Sequence, residues 1–96
     1  MMPEILRHED FAPHVDKVFR FERWHGTLRL VRIEPLPHII KSIRPPFILI
    51  FQGPRNDILP EGIHAATVEN GPQFAFHIMP IHTPTGEQQE YQAIFN

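Results

Sequence analysis

A chain of 96 residues, 42% hydrophobic and 21% charged, makes one small domain over residues 1–96 with a thin core. Nine Lys+Arg against eleven Asp+Glu leave a net charge of −2, a balance that disfavours gripping a phosphate backbone. The absence of cysteine excludes a disulfide framework, thiol catalysis and Cys-ligated metal centres.

The first ten residues lack the apolar core of a signal peptide, and no apolar run approaches the roughly 20 residues of a membrane span. A cytoplasmic location without membrane contact is expected. Residues 8–16, His-Glu-Asp-Phe-Ala-Pro-His-Val-Asp, read as a short N-terminal helix with acidic residues leading, where they suit the positive end of the dipole. Phe11 and Val15 stand four apart and can share a buried face, and Pro13 limits the helix to a turn or two.

From Lys17 the period changes to two. Phe19 and Phe21 fall on one face of a strand running from Val18 towards Trp24, with charges on the other. His25-Gly26 signals a turn into a second strand, Thr27–Leu36. There Leu28 and Leu30 share one parity and Val31 and Ile33 the other, so a bulge or sharp bend is expected near Leu30-Val31. The connection over 38–46 holds Ser42, the only serine. Phe47-Ile48-Leu49-Ile50-Phe51 is an unbroken apolar strand, expected to be covered on both faces.

A loop rich in Pro, Asn, Asp and Gly follows over 53–62. Residues 63–69 and 73–82 read as a hairpin about Asn70-Gly71. A two-residue loop would set Ile63 against Ile78, Ala65 against Phe76 and Thr67 against Phe74 on the inner face, with His64 opposite His77 outside. Pro84-Thr85-Gly86 marks another turn, and a last strand inserts Tyr91, Ala93 and Phe95. The expected fold is mainly β: a short N-terminal helix followed by five or six antiparallel strands in a small, strongly bent barrel. That order of elements also occurs in Sm-like and SH3-like barrels, an analogy of fold alone.

The chemistry-bearing residues are sparse. His64 and His77, if opposite, could share an ion, but no third ligand can be named, and a plain histidine pair is the reading preferred. Ser42 lacks a nucleophile-elbow motif, the five glycines are scattered turn residues, and Glu87 with Glu90 read as a solvated loop. No catalytic residue, metal or cofactor is therefore expected. Arg20, Arg29 and Arg32 are interspersed with Glu22 and Glu34, a solvated mixed-charge face. Trp24, flanked by Arg23 and His25, is the candidate ligand contact, because an aromatic beside a turn can stack a base or sugar. Met79 and Ile81, with His64 and His77 and the outer residues Ile48 and Ile50, form the candidate interaction surface, since exposed apolar area on a small domain marks a protein contact.

Glu9-Asp10-Phe11-Ala12-Pro13, Arg44-Pro45-Pro46-Phe47, Phe51-Gln52-Gly53-Pro54, Leu59-Pro60-Glu61-Gly62 and Tyr91-Gln92-Ala93-Ile94-Phe95-Asn96 resemble a family of short uncharacterised bacterial proteins over nearly the whole chain. Asp16 departs from that pattern, standing where Gly is expected after Val15. The resemblance implies no catalytic residues and an association with phage-tail-like or collar-like proteins. The functional expectation is a non-catalytic interaction protein that binds itself, most simply as a homodimer, or another protein. The alternative is a Sm-like ligand module for single-stranded RNA or a small sugar.

Overall fold

Strand alternation dominates the chain after residue 17, and the computed structural model, which describes residues 5–37, 44–83, 86 and 88–96, shows where it leads. A four-residue helix, α1 (His8–Phe11), runs into a 3₁₀ turn at Ala12–His14. Six strands follow: β1 (Val18–Phe21), β2 (Thr27–Pro35), β3 (Phe47–Pro54), β4 (Gly62–Val68), β5 (Gln73–Pro80) and β6 (Gln88–Phe95). They close into an antiparallel barrel in the order β1-β2-β3-β6-β5-β4, with β1 pairing β4 to complete the ring. This is the mainly β barrel with a short N-terminal helix that the strand pattern predicts. Ser42, Glu87 and the Pro84-Thr85 part of the last turn lie outside the described residues.

The helix entrance is held by the backbone N–H of Arg7, which donates to Asp10 Oδ2 at 2.8 Å. Asp16 ends the segment at φ 72°, the left-handed conformation that glycine adopts most freely. Aspartate is among the few other residues that tolerate it, so the departure from the expected glycine leaves the chain path intact.

β1 is shorter than expected. It stops at Phe21, and Arg23 takes φ 64° in the turn that follows. On β2 the predicted bulge is present: Leu30 pairs with Phe51 and Arg32 with Ile50, leaving Val31 as the extra residue. The slip returns Leu30 and Ile33 to the same face as Phe51, Leu49 and Phe47. Beyond the predicted run, β3 continues through Gly53, where a Cβ would collide with the buried side chain of Leu28, so only glycine lets the two strands close there.

The β4–β5 hairpin corrects the predicted register. Its loop has three residues, Glu69-Asn70-Gly71, with Thr67 opposite Gln73 and His64 opposite Phe76. Pro72 explains the difference. A two-residue loop needs the residue after the turn to donate its N–H across the strands, and proline has none. In the observed loop Pro72 only accepts, from Val68 N–H at 3.0 Å, while Gly71 N–H closes onto Val68 O at 2.9 Å. A one-residue slip turns every β4 side chain over. Ala66 and Val68 are therefore buried, and Ile63, expected inside, is 78% exposed.

Aromatic rings fill the barrel. Phe19, Phe21, Phe51 and Phe76 meet at ring separations of 5.1–6.1 Å in the middle, and Phe47 stacks on Phe95 at 4.6 Å near one end. Each end carries a plug. Phe11 from α1 packs on Phe47, Phe74, Phe76 and Phe95. At the other end the β3–β4 loop inserts Leu59, whose N–H donates to the buried Tyr91 hydroxyl at 2.9 Å. Burial, the largest influence, raises the Tyr91 pKa; the Leu59 hydrogen bond opposes that shift.

Candidate functional site

Barrel closure leaves the outer wall facing outward, and cross-strand register sorts its residues into rows. Arg29, Gln52 and Glu90 lie side by side on β2, β3 and β6. Arg29 reaches Asp16 and the Gln52 side-chain carbonyl, each at 3.2 Å, and the Gln52 amide donates to Glu90 at 3.2 Å. The next row is Arg32, Ile50, Gln92 and Met79, and the third is Glu34, Ile48 and Ile94. Arg32 pairs with Glu34. The arginines on this wall are thus neutralised locally, as a mixed-charge face requires, and surface pairs of this kind add little stability.

The predicted apolar surface is present in reduced form. Ile50 points outward, flanked across the strands by Arg32 and Gln92, yet it is only 4% exposed, so this chain already covers it. Ile48, Met79 and Ile81 are half-buried. Gln92 Nε2 lies 3.7 Å from Met79 Sδ, and Ile81 is tied to β6 through its N–H on Glu90 O at 3.0 Å. The residue that opens the patch is Ile94, 43% exposed beside Ile48. Alternation could have found it, because placing Tyr91, Ala93 and Phe95 inside sends Ile94 outside.

The two histidines do not face one another. His64 sits opposite Phe76, turned to the side of the Phe21 ring, and its Nε2 donates to the Pro60 carbonyl at 2.8 Å. His77 sits opposite Ile63 on the outer wall, 3.2 Å from Glu61. The expected cross-strand pair fails with the register that implied it. Among the described residues no group of three or more His, Asp or Glu side chains is arranged to hold a metal ion.

Trp24, Arg23 and His25 stay adjacent in the β1–β2 loop. The Trp24 ring packs against the edge of the core and lies over Gly26, where a Cβ would come within 2.8 Å of it. His25 pairs with Asp57. The site that sequence reading missed is a shallow depression of about 410 Å³ on the β2–β1–β4 wall, edged by Arg20, Thr27, Thr67, Glu69 and Asn70. Arg20 stands between Thr27 and Thr67 across the strands. Its placement depends on β1 pairing with β4, a contact between segments nearly fifty residues apart that no local pattern signals.

Known proteins add one decisive match. The model of the domain of unknown function DUF6916 covers residues 6–95. The chain belongs to this family. No curated protein and no solved structure matches it. The DUF6916 match begins just before α1 and ends on the last residue of β6, so it takes in the N-terminal plug together with all six strands.

Proposed function

We propose that this DUF6916 protein is a non-catalytic interaction module that self-associates, as a homodimer, through the outer wall of β3, β6 and β5. One observation carries the reading: Ile94 stands exposed next to half-buried Ile48, with half-buried Met79 in the neighbouring row, and this surface is bordered by both Arg32 and Glu34. A face holding both charge signs around an apolar centre suits a two-fold interface, in which each group can meet its opposite on the second copy. A tail-like or collar-like structural protein is the heterologous partner of the same kind.

Light scattering at micromolar concentration tests this. The native chain is expected at twice its monomer mass, and Ile94→Glu at the monomer mass with an unchanged circular dichroism spectrum. A native chain that stays monomeric overturns the proposal.

The depression beside Arg20 supports a second reading, a small-sugar or single-strand RNA module. The Arg20 side chain has no ion pair or hydrogen bond to another described residue, and the Thr27 and Thr67 hydroxyls flank it. Titration of labelled oligonucleotides and oligosaccharides against the chain and Arg20→Ala separates this reading from the first.

A further inference from the structure

The ladders of the barrel differ in length, and the one between β5 and β6 has the fewest paired positions. β3 and β6 pair over eight positions, from Phe47↔Phe95 to Pro54↔Gln88. β5 and β6 pair only at Met79↔Gln92 and Pro80↔Tyr91. The hydrogen bonds flanking the seam show which backbone groups it leaves open. Val68 N–H donates to Pro72 O at 3.0 Å, so the even-numbered residues of β5 turn their N–H and C=O towards β4. Ile81 N–H donates to Glu90 O at 3.0 Å, so the odd-numbered residues turn theirs towards β6. Gln73, Ala75 and His77 therefore point their backbone groups past the end of the β5–β6 ladder. No other described backbone group outside the strand ladders bonds to them, and all three residues are exposed. Phe11 fills the inner side of this gap with its ring and supplies no strand.

An open strand edge is a template for another strand, and edges are ordinarily guarded by proline, lysine or inward charge. Residues 73–79, Gln-Phe-Ala-Phe-His-Ile-Met, hold no proline and no Lys, Arg, Asp or Glu. We propose that this edge pairs antiparallel with the same edge of a second copy, about a two-fold axis through Ala75. The inference rests on the self-association reading and specifies its contact. Gln73-Phe74-Ala75-Phe76-His77 is nearly symmetric in character about its centre. Antiparallel pairing sets Ala75 against its own copy, Phe74 against Phe76 and Gln73 against His77. The smallest side chain falls on the axis and a hydrogen-bonding pair lies outside it, with no like charges opposed, while Phe74 and Phe76 keep to the inner face of each barrel. A depression of about 420 Å³ lies beside the Pro72–Ala75 end of this edge, with Leu6 and Asp10 on its other side. Ile94 and Met79 border the same seam, so the second copy also meets the apolar patch.

Ala75→Pro tests the edge directly. Ala75 points its N–H away from β4, so proline there removes no bond of the β4–β5 ladder and is expected to leave the melting profile near that of the native chain. Sedimentation equilibrium should show dimerisation weakened at least about tenfold, for want of the central pair of interchain bonds. Ala75→Cys gives a second readout in a chain that has no other cysteine. The two Cα atoms at the axis would lie about 5.5 Å apart, within disulfide reach, and mild oxidation with copper–phenanthroline should yield a covalent dimer. That result supports the edge even if Ala75→Pro does not fold. A dimer split by Ile94→Glu but neither weakened by Ala75→Pro nor crosslinked through position 75 overturns the edge and leaves self-association standing. A native chain that is monomeric throughout overturns both.

Discussion

Tyr91 illustrates how single residues close this barrel. Its ring is fully buried on β6, and its hydroxyl accepts the N–H of Leu59, the residue that plugs that end. Tyr91→Phe keeps the ring but strands a buried amide, so it should cost about 1–3 kcal/mol. Urea unfolding should show a lower midpoint at an unchanged slope. His14 supplies the pH dependence. Burial first, then the nearby Lys17 charge, hold its pKa below the ordinary imidazole value, and its Nδ1 is buried without a partner among the described residues. The unfolded chain therefore takes up this proton first as the pH falls. Stability is lost from about pH 6.5 down to the lowered folded value, with no further loss from this group below it. Urea midpoints compared between pH 7.5 and 5 should fall less for His14→Gln than for the native chain.

At the scale of elements, α1 is too short to be a stable helix by itself, since nucleation alone costs more than one turn returns. It is held by Phe11, whose ring lies 4.5 Å from Phe74 and 5.4 Å from Phe95 across the seam where β5 and β6 part. Phe11→Ala should cost about 3–5 kcal/mol, a large share of the roughly 5–15 kcal/mol that holds a small domain together. A thermal melt should show a strongly lowered midpoint, and amide exchange should rise first in β5 and the end of β6. The β2 bulge is the other element on which the architecture turns. Without Val31 as the extra residue, Leu30 and Ile33 could not both face β3 from the inside.

Across the whole molecule, closure of the ring decides which surfaces remain for recognition. Two plugged ends and a ring-filled interior leave the outer wall and the short β5–β6 ladder as the surfaces on which the proposed association rests. Ile94 belongs to that wall and makes no contribution to the buried core. Ile94→Glu should therefore separate copies without melting them, with unfolding midpoints within about 0.5 kcal/mol of native measured on monomeric protein. The proposed interface and the core draw on different faces of the same strand, so the two effects can be measured apart.

Much of this was legible in the residues. Alternation placed Phe19, Phe21, Tyr91, Ala93 and Phe95 inside, and the clash of phases at Leu30-Val31 located the bulge, because side-chain direction along a strand is a local property of the backbone. The hairpin register was legible too, but in Pro72 rather than in Asn70-Gly71: one missing N–H outweighed a favoured turn pair. The pairing of β1 with β4, the plugging of the ends by Phe11 and Leu59, and the splayed β5–β6 seam were decided only by the tertiary structure. Period two tells a strand which face to bury, and nothing in it names the neighbour across the gap. That choice is made when the ring closes around rings of fixed size, and here it leaves Gln73, Ala75 and His77 beyond the β5–β6 ladder, with no strand partner on that side among the described residues.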